Sequence, residues 1–253
     1  MDIKELLEFA RTVAEKGGAK TLEYFRNGVE IDHKTDDSPV TVADRQAELV
    51  MREIITEKFP DHGIIGEEFG KTNEDSDIQW ILDPIDGTIS FIHGIPTYTT
   101  LIGITIKDEP VIGIIHAPAL GEMTYAATGL GAFHNNEPCK VRKCNRIEDA
   151  SFITTDLEHI HKHNFTEAFD ALLETTKYHR TWGDAYGHSL VATGRADIMF
   201  DPILKVWDAA ALLPVIKESG GVFCTVSGEE DIYGGNGISV HPDLKEAVLE
   251  YFK

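Results

Sequence analysis

The chain has 253 residues, 42% of them hydrophobic, and can therefore bury a sizeable core as one large domain or two modest ones. Its formal net charge of −20 argues against nucleic acid as a partner, because phosphate binding needs clustered Lys and Arg. No apolar run approaches the ~18 residues of a membrane span, so we expect a globular cytoplasmic protein with no membrane partner. Three cysteines in no metal-ligand spacing indicate reduced thiols.

The first predicted elements are two amphipathic helices. Apolar residues recur at helical spacing over residues 3–14 and again over residues 43–55. The second helix opens with the sequence TVAD, a pattern similar to a capping box from Thr41 to Asp44, which places Asp44 in the first turn. From residue 63 to about 141, short β-rich runs alternate with Gly, Pro and Asn. We therefore expect a largely antiparallel sheet behind the two helices.

The second half of the chain alternates between predicted strands and predicted helices. The strands are expected in SFITTD, KYHRTW, DIMFDP, VFCTVSG and GISV, and the helices in HNFTEAFDALLETT, YGHSLVATGRA, WDAAALLPVIKESGG and PDLKEAVLEYF. This alternation is typical of an α/β layer. We therefore predict an α+β domain over residues 1–141 and an α/β domain over residues 142–253, with the boundary near residues 141–150.

Three acidic clusters stand at the ends of predicted elements. Glu67 and Glu68 follow an apolar pair, Asp83 and Asp86 follow an apolar strand, and Asp208 opens an almost wholly apolar helix. Taken alone, the first cluster fits a surface turn, the second a β-turn and the third a helix cap. A turn needs only one aspartate, however, and the second carries a desolvation cost that a cation would relieve. Together the carboxylates suit Mg²⁺, whereas no His or Cys spacing suits zinc.

These residues carry a resemblance to a known family. The stretches GEE at 66–68, LDPIDGTISF at 82–91 and VWDAAA at 206–211 resemble the inositol monophosphatase family of Mg²⁺-dependent phosphomonoesterases, in order and in separation. Residues 34–44, with Lys34 followed by SPVTVAD, are similar to the family's first motif. Residues 179–215, which contain WGDAYG and VATG, are similar to its histidinol-phosphate phosphatase branch.

The resemblance implies an α+β / α/β fold of the αβαβα sandwich type and a site with two to three Mg²⁺ ions. Glu67, Asp83 and the Ile85 carbonyl would hold one ion. Asp83, Asp86 and Asp208 would hold a second, and a weaker third would lie near Glu67 through water. Two metal ions bound at neighbouring positions repel each other, and a shared anionic ligand such as Asp83 would offset that repulsion. Relatives also suggest a homodimer.

The resemblance further implies how the residues would share the hydrolysis of a phosphate ester. Thr88, hydrogen-bonded to Asp44, would accept a proton from a water that attacks in line, and Glu67 is the third catalytic residue. The backbone N–H groups of Gly87 and Thr88 would cradle the phosphate, with Ser90 also in the substrate site. The alternative is that Thr88 and Asp44 are simple helix caps.

Two more acids, Asp184 and Asp201, are predicted to face the non-phosphate end of the substrate, unless each merely caps a local turn or helix. Two carboxylates there suit a cationic group, so the leading hypothesis is hydrolysis of L-histidinol phosphate in histidine biosynthesis. The alternatives are inositol-1-phosphate or another small sugar phosphate, and an inactive metal-binding or regulatory homologue. Trp182 and Tyr186 would stack on an imidazole or belong to the core.

Overall fold

The computed structural model describes residues 2–28, 31–33 and 39–253. Its helices are α1 (Ile3–Leu22), α2 (Val42–Lys58), α3 (Thr88–Ile92), α4 (Leu157–Lys162), α5 (Thr166–Thr175), α6 (Asp184–Ala192), α7 (Val206–Glu218) and α8 (Lys245–Leu249). Its strands are β1 (Ile31–His33), β2 (Pro39–Thr41), β3 (Gly63–Gly66), β4 (Gly70–Thr72), β5 (Ile78–Asp86), β6 (Thr99–Ile106), β7 (Glu109–Ala117), β8 (Glu122–Ala127), β9 (Gly131–His134), β10 (Glu137–Pro138), β11 (Ser151–Thr154), β12 (Tyr178–Arg180), β13 (Ile198–Asp201), β14 (Val222–Cys224) and β15 (Gly237–Val240). Short 3₁₀ turns cover Ile147–Asp149, Pro242–Leu244 and Glu250–Phe252.

The first large sheet has eight strands in the order β10-β9-β8-β7-β6-β5-β3-β4. Its pairs are antiparallel except β3 with β5, which run parallel. The largely antiparallel sheet predicted from the sequence is therefore confirmed. Helices α1 and α2 cover one face of this sheet through a shared apolar cluster that includes Leu6, Met51 and Trp80.

The second sheet has five strands in the order β12-β11-β13-β15-β14. Strands β12, β11 and β13 are parallel, whereas β15 pairs antiparallel with both β13 and β14. Helices α4, α5 and α8 pack on its outer face. Helices α6 and α7 share a core with both sheets and lie between them. The five layers confirm the predicted αβαβα sandwich.

The predicted domain boundary near residues 141–150 falls between β10 and β11, where one large sheet ends and the other begins. Helix α7 belongs to the second half of the chain, yet it packs against strands of the first sheet. The division into two domains therefore stays a prediction.

Two glycines of the first sheet allow α7 to approach its strands closely. Gly103 and Gly113 are partners across β6 and β7. A Cβ atom on Gly103 would lie 2.5 Å from the Cβ of Ala210, and one on Gly113 would lie 2.1 Å from the carbonyl oxygen of Ala211. Only glycine fits where another backbone comes this near. The contact brings the first turn of α7, which carries Asp208, to the end of β5.

The β-turn that was the alternative interpretation of residues 83–88 is not observed there. Strand β5 continues to Asp86, with one extra residue in its pairing with β6 between Asp83 and Asp86. Pro84 lies within this bulge, where the missing N–H of proline is tolerated. Continued pairing with β6 thus outweighs the turn tendency of the sequence, and both aspartates belong to a bulged strand end.

Among the residues with described positions, no helix is both long and apolar enough to cross a bilayer. The cytoplasmic location and the homodimer stay predictions.

Candidate active site

A cavity of about 550 Å³ opens at the carboxyl ends of strands from both sheets. On one side are residues that end or follow β3 and β5, and on the other are residues that end or follow β11 and β13. Ligands of open α/β sheets bind in such crevices. The predicted site residues that line it are Glu67, Asp83, Ile85, Asp86, Gly87, Thr88, Ser90, Asp184, Asp201 and Asp208. Lys34 and Ser38 of the first motif lie outside the described residues.

Three of the predicted metal ligands meet at one point of this cavity. Asp83, Asp86 and Asp208 each offer a carboxylate oxygen, and these oxygens all lie within 4.8 Å of one another. Asp83 is only 2% exposed, while Asp86 and Asp208 are half-buried. The end of β5 and the first turn of α7 thus converge as the sequence interpretation required.

Backbone N–H groups hold one oxygen of two of these carboxylates. Oδ1 of Asp83 accepts the N–H of Ile85 at 2.9 Å. Oδ2 of Asp208 accepts the N–H of Lys205 at 2.6 Å, across the first turn of α7. Fixing one oxygen orients the other toward the cluster, which is how protein ligands of a metal are commonly prepared.

Asp86 is oriented by donors from both halves of the chain. Its Oδ2 accepts the hydroxyl of Thr99 at 2.9 Å and the N–H of Ala185 at 2.8 Å. Thr99 lies on β6 and Ala185 on α6. Because these two bonds occupy Oδ2, Oδ1 is the oxygen that remains to face Asp83 and Asp208.

Burial and neighbouring acids raise the pKa of all three carboxylates. Burial, followed by the charges of Glu67 and Asp208, raises the pKa of Asp83 well above its usual value. Burial, with the charges of Asp184 and Asp208, does the same to Asp86. The pKa of Asp208 rises to about 7, chiefly through burial. A divalent cation would remove this penalty by pairing with all three.

The donor set fits a hard cation. Asp83, Asp86 and Asp208 line the cavity together with Ile85, and Mg²⁺ prefers oxygen ligands such as carboxylates and carbonyls. Among the described residues, no Lys, Arg or His lines the cavity to neutralise the acids instead. The crowding of Asp208 against Asp83, which raises the pKa of Asp83, is an arrangement that a bound cation would relieve.

Glu67 belongs to the same electrostatic cluster. It follows β3, and its N–H donates to the carbonyl of Leu82 at 3.2 Å, next to the parallel pairing of β3 with β5. Its charge contributes to the raised pKa of both Asp83 and Asp208. The GEE segment is thus placed beside the aspartates.

The hydrogen bond expected between Thr88 and Asp44 is wrong in this structure. The hydroxyl of Thr88 donates to the carbonyl of Ile85 at 3.1 Å, the acceptor three residues earlier at the start of α3. Asp44 accepts the N–H and hydroxyl of Thr41 at 2.8 and 2.7 Å, which confirms the predicted capping box of α2. Both donors use Oδ2 of Asp44. Unlike the other predicted residues, Asp44 does not line the cavity.

The Asp44 carboxyl is 1% exposed, and this burial raises its pKa to about 6. The two bonds from Thr41 act in the opposite direction, and the charge of Glu68 adds to the rise. Asp44 is thus poised to change protonation just below neutral pH, whatever its role.

Asp184 joins three segments that are far apart in the sequence. Its Oδ1 accepts the hydroxyl of Thr155 at 2.8 Å, and its Oδ2 accepts that of Ser90 at 3.4 Å. A Cβ atom on Gly87, whose φ is +78°, would lie 2.6 Å from Oδ2. Asp184 has a left-handed φ of +55°, a conformation that Asp adopts more readily than most other non-glycine residues. It does not cap α6, whose cap residue Gly183 makes no side-chain bond.

Asp201 ends β13 and is 5% exposed. Its Oδ1 accepts the N–H of Ile203 at 3.3 Å, so it does close the turn at Pro202. Burial, followed by the charges of Asp184 and Asp208, raises its pKa well above the usual value. Asp201 therefore both closes the local turn and lines the cavity.

Sequence reasoning missed the acids that follow β11. Thr155, Asp156 and Glu158 line the cavity. Asp156 caps α4: Oδ1 accepts the N–H of His159 at 3.0 Å, and Oδ2 hydrogen-bonds the His159 ring. Burial favours a higher pKa for Asp156, but these bonds outweigh it and the pKa is lowered. The one available signal was a polar TTD at the end of a predicted strand.

The two aromatic residues considered for stacking on the substrate do not line the cavity. Trp182 lies in a separate groove with Arg142 and Arg195. The hydroxyl of Tyr186 donates to Glu122 at 3.4 Å, and its ring packs against the core between the sheets. Tyr186 therefore follows the core alternative.

Comparison with known proteins agrees with this geometry. The model of the inositol monophosphatase family matches residues 2–253. A histidinol-phosphatase of Chlorobaculum parvum is 41% identical over 233 residues, covering 92% of this chain and 90% of that protein. A fructose-1,6-bisphosphatase/inositol-1-monophosphatase of Aquifex aeolicus is 30% identical over 264 residues, covering 100% and 98%. The solved inositol monophosphatase of Zymomonas mobilis has a TM-score of 0.88 at 30% identity, covering 100% and 99%. The chain belongs to the inositol monophosphatase family and is a phosphoric monoester hydrolase.

Proposed function

We propose that this chain is a Mg²⁺-dependent phosphatase that hydrolyses L-histidinol phosphate to L-histidinol and phosphate, a step of histidine biosynthesis. The observation that carries the proposal is the cavity itself, which joins a carboxylate cluster suited to metal with a second group of acids and, among the described residues, no basic side chain. The relative from Chlorobaculum parvum, named histidinol-phosphatase, supports the same substrate.

The metal ligands proposed are Asp83, Asp86 and Asp208, with Glu67 and the Ile85 carbonyl beside them. When bound, Mg²⁺ lowers the pKa of a coordinated water and neutralises charge on the phosphate and the leaving oxygen. The residues of the chain supply the geometry. Because one oxygen of each aspartate is already held by a protein donor, the other is preorganised to bind, and little reorganisation accompanies turnover.

Gly87 and Thr88 are proposed to hold the phosphate. Their N–H groups precede the first full turn of α3, so neither has an acceptor inside the helix and both are available to phosphate oxygens. In the substrate complex, the hydroxyl of Thr88 is proposed to leave the Ile85 carbonyl that it contacts here and to move between the attacking water and Asp44. Only after that movement would Asp44 receive the proton.

The remaining acids support a cationic substrate. We call Glu67, Asp83, Asp86 and Asp208 the metal-side acids, and Asp156, Glu158, Asp184 and Asp201 the substrate-side acids. Two bound divalent ions would offset the charges of the four metal-side acids, so the substrate side would keep its own negative charge. The ammonium and imidazolium of histidinol phosphate would form charge-assisted hydrogen bonds with Asp184 and Asp201, whereas a neutral polyol would leave the charges of these two acids unmatched.

A second candidate is hydrolysis of inositol-1-phosphate or of a sugar phosphate. The relative from Aquifex aeolicus, named for both activities, favours it. It uses the same metal-side acids and differs only in what the substrate-side acids contact.

Phosphate release with Mg²⁺ from histidinol phosphate, inositol-1-phosphate and fructose-1,6-bisphosphate tests the proposal. We expect kcat/KM to favour histidinol phosphate by about tenfold or more, as one lost charge-assisted bond would predict. Equal rates on all three would remove the substrate preference while keeping the phosphatase. No release above the Asp86→Asn variant on any of them would favour the inactive metal-binding homologue.

A further inference from the structure

We infer that Glu48, paired with Arg52, is a positioning residue that sets metal affinity by fixing the segment that carries Glu67. The inference rests on the proposed metal role of Glu67. Glu48 lies on α2, in no contact with the cavity, and no motif of the sequence points to it.

The Glu48 side chain is fully buried, yet it is charged and completely engaged. Its Oε1 accepts the Nε–H of Arg52 at 2.7 Å and the N–H of Phe69 at 3.2 Å. Its Oε2 accepts the N–H of Glu68 at 2.8 Å. Arg52 in turn donates to the carbonyl of Gly70. The pair therefore binds the backbone of the segment that connects β3 to β4.

Gly66 shows how tightly this segment lies against α2. A Cβ atom there would be 2.0 Å from Oε1 of Glu48 and 2.7 Å from Nη2 of Arg52. The backbone of Gly66 is not in the left-handed region, so conformation does not demand glycine. The glycine is required because the carboxylate of Glu48 occupies the space of a side chain.

Glu67 stands between these two contacts. The residue before it packs on the Glu48 carboxylate and the residue after it donates to the same carboxylate, while its own N–H donates to Leu82 at 3.2 Å. Its backbone is thus anchored on three sides, and the carboxylate is presented beside Asp83. Partners of this kind, one step removed from the metal, typically change metal affinity about 10- to 100-fold when they are lost.

A purely structural role for Glu48 is the competing explanation, since removing one partner of a buried ion pair destabilises a fold. The two roles differ in whether the loss of metal affinity passes through Glu67. The test uses the full-length chain freed of metal by a chelator, with Mg²⁺ binding followed by calorimetry and folding checked by circular dichroism.

We expect Glu48→Gln to weaken Mg²⁺ binding by about tenfold while the protein remains folded. The matched control is Glu53→Gln, which removes the same charge from an exposed position of the same helix and is expected to bind Mg²⁺ normally. Equal Mg²⁺ affinity in the two variants would overturn the inference. Should Glu48→Gln fail to fold, Gly66→Ala displaces the carboxylate instead and carries the same expectation.

A double-mutant cycle separates positioning from general destabilisation. In the Glu67→Ala background, adding Glu48→Gln is expected to cause no further loss of Mg²⁺ affinity. Additive losses would mean that Glu48 acts elsewhere and would overturn the inference. Normal Mg²⁺ binding by Glu67→Ala alone would overturn the proposed role of Glu67 as well, whereas weak binding by Glu67→Ala beside normal binding by Glu48→Gln would overturn this inference alone.

Discussion

The metal-side and substrate-side acids share one cavity but are held in different ways. Asp83 and Asp208 are oriented by N–H groups two and three residues away in the chain. Asp184 is oriented by hydroxyls of Thr155 and Ser90, which come from other segments. Asp83 and Asp208 are therefore set by short local motifs, whereas Asp184 is set by contacts that only the fold creates. Asp86 on the metal side is also held by distant donors, on β6 and α6. Members of a family can keep such local motifs while the long-range contacts vary.

The largest effect should come from breaking the metal side. Asp86→Asn removes a proposed metal ligand while keeping the acceptor for Thr99 and Ala185, so we expect activity on every substrate to fall by more than about 100-fold. Phosphate release measures the loss, and circular dichroism checks the fold. Asp170→Asn, an exposed change on α5, is the control. Full activity in Asp86→Asn would contradict the assignment of the metal side.

This difference also explains which site residues could be predicted from the sequence. The capping box of Asp44 and the turns that hold Asp83 and Asp208 depend on neighbours two or three residues away, so their spacing is visible in the chain. Asp156 depends on where β11 ends relative to the cavity, which no local pattern encodes. The Thr88 contact was mispredicted because the nearer Ile85 carbonyl takes the hydroxyl.

The fold shows the same limit. Periodic apolar residues predicted the layers, because each helix or sheet face must be buried. The sequence could not show why residues 103 and 113 are glycines. A side chain there would collide with Ala210 and Ala211, which lie about 100 residues later in the chain. The bulge between Asp83 and Asp86 likewise depends on pairing with β6 rather than on the residues of the turn.

Breaking the substrate side should alter selectivity rather than chemistry. Asp201→Asn removes a buried negative charge but keeps an acceptor for Ile203, so KM for histidinol phosphate should rise about tenfold, the cost of one charge-assisted bond. KM for inositol-1-phosphate should change little. Steady-state kinetics on both substrates measure the split. An equal rise in both would show that Asp201 supports the cavity without recognising a cation.

Asp44 belongs to neither the metal-side nor the substrate-side acids. Its hydrogen bonds are to Thr41, three residues away, and its proposed role is to receive a proton during catalysis. With a pKa of about 6, it would be protonated below that pH and unable to receive a proton, so kcat should increase as pH rises through about 6. Asp44→Asn should lower kcat and remove this limb of the profile. If Asp44 is only a cap, the variant will keep the wild-type limb and lose a little stability.

The smallest predicted effect is on the stability of the metal-free fold and comes from the Asp208 carboxyl of the metal side. Burial raises the pKa of Asp208 to about 7 in the folded, metal-free protein, above its usual 3.8. From about pH 4 to about 7 the unfolded chain releases this proton while the folded chain keeps it, so the metal-free fold loses stability as pH rises through that window.

Asp208→Asn abolishes this titration and should raise the Tm of the metal-free protein by about 2–4 °C at pH 8, the equivalent of about 1 kcal/mol. The gain should shrink as the pH falls toward 4, where the folded carboxyl is protonated and the unfolded one is about half protonated. Calorimetric unfolding at the two pH values measures both. Saturating Mg²⁺ should reverse the order at pH 8, because only the wild-type carboxylate is stabilised by the ion. A variant less stable than wild type at pH 8 without metal would mean that the hydrogen bond to Lys205 outweighs the repulsion, and that the metal side is not strained when empty.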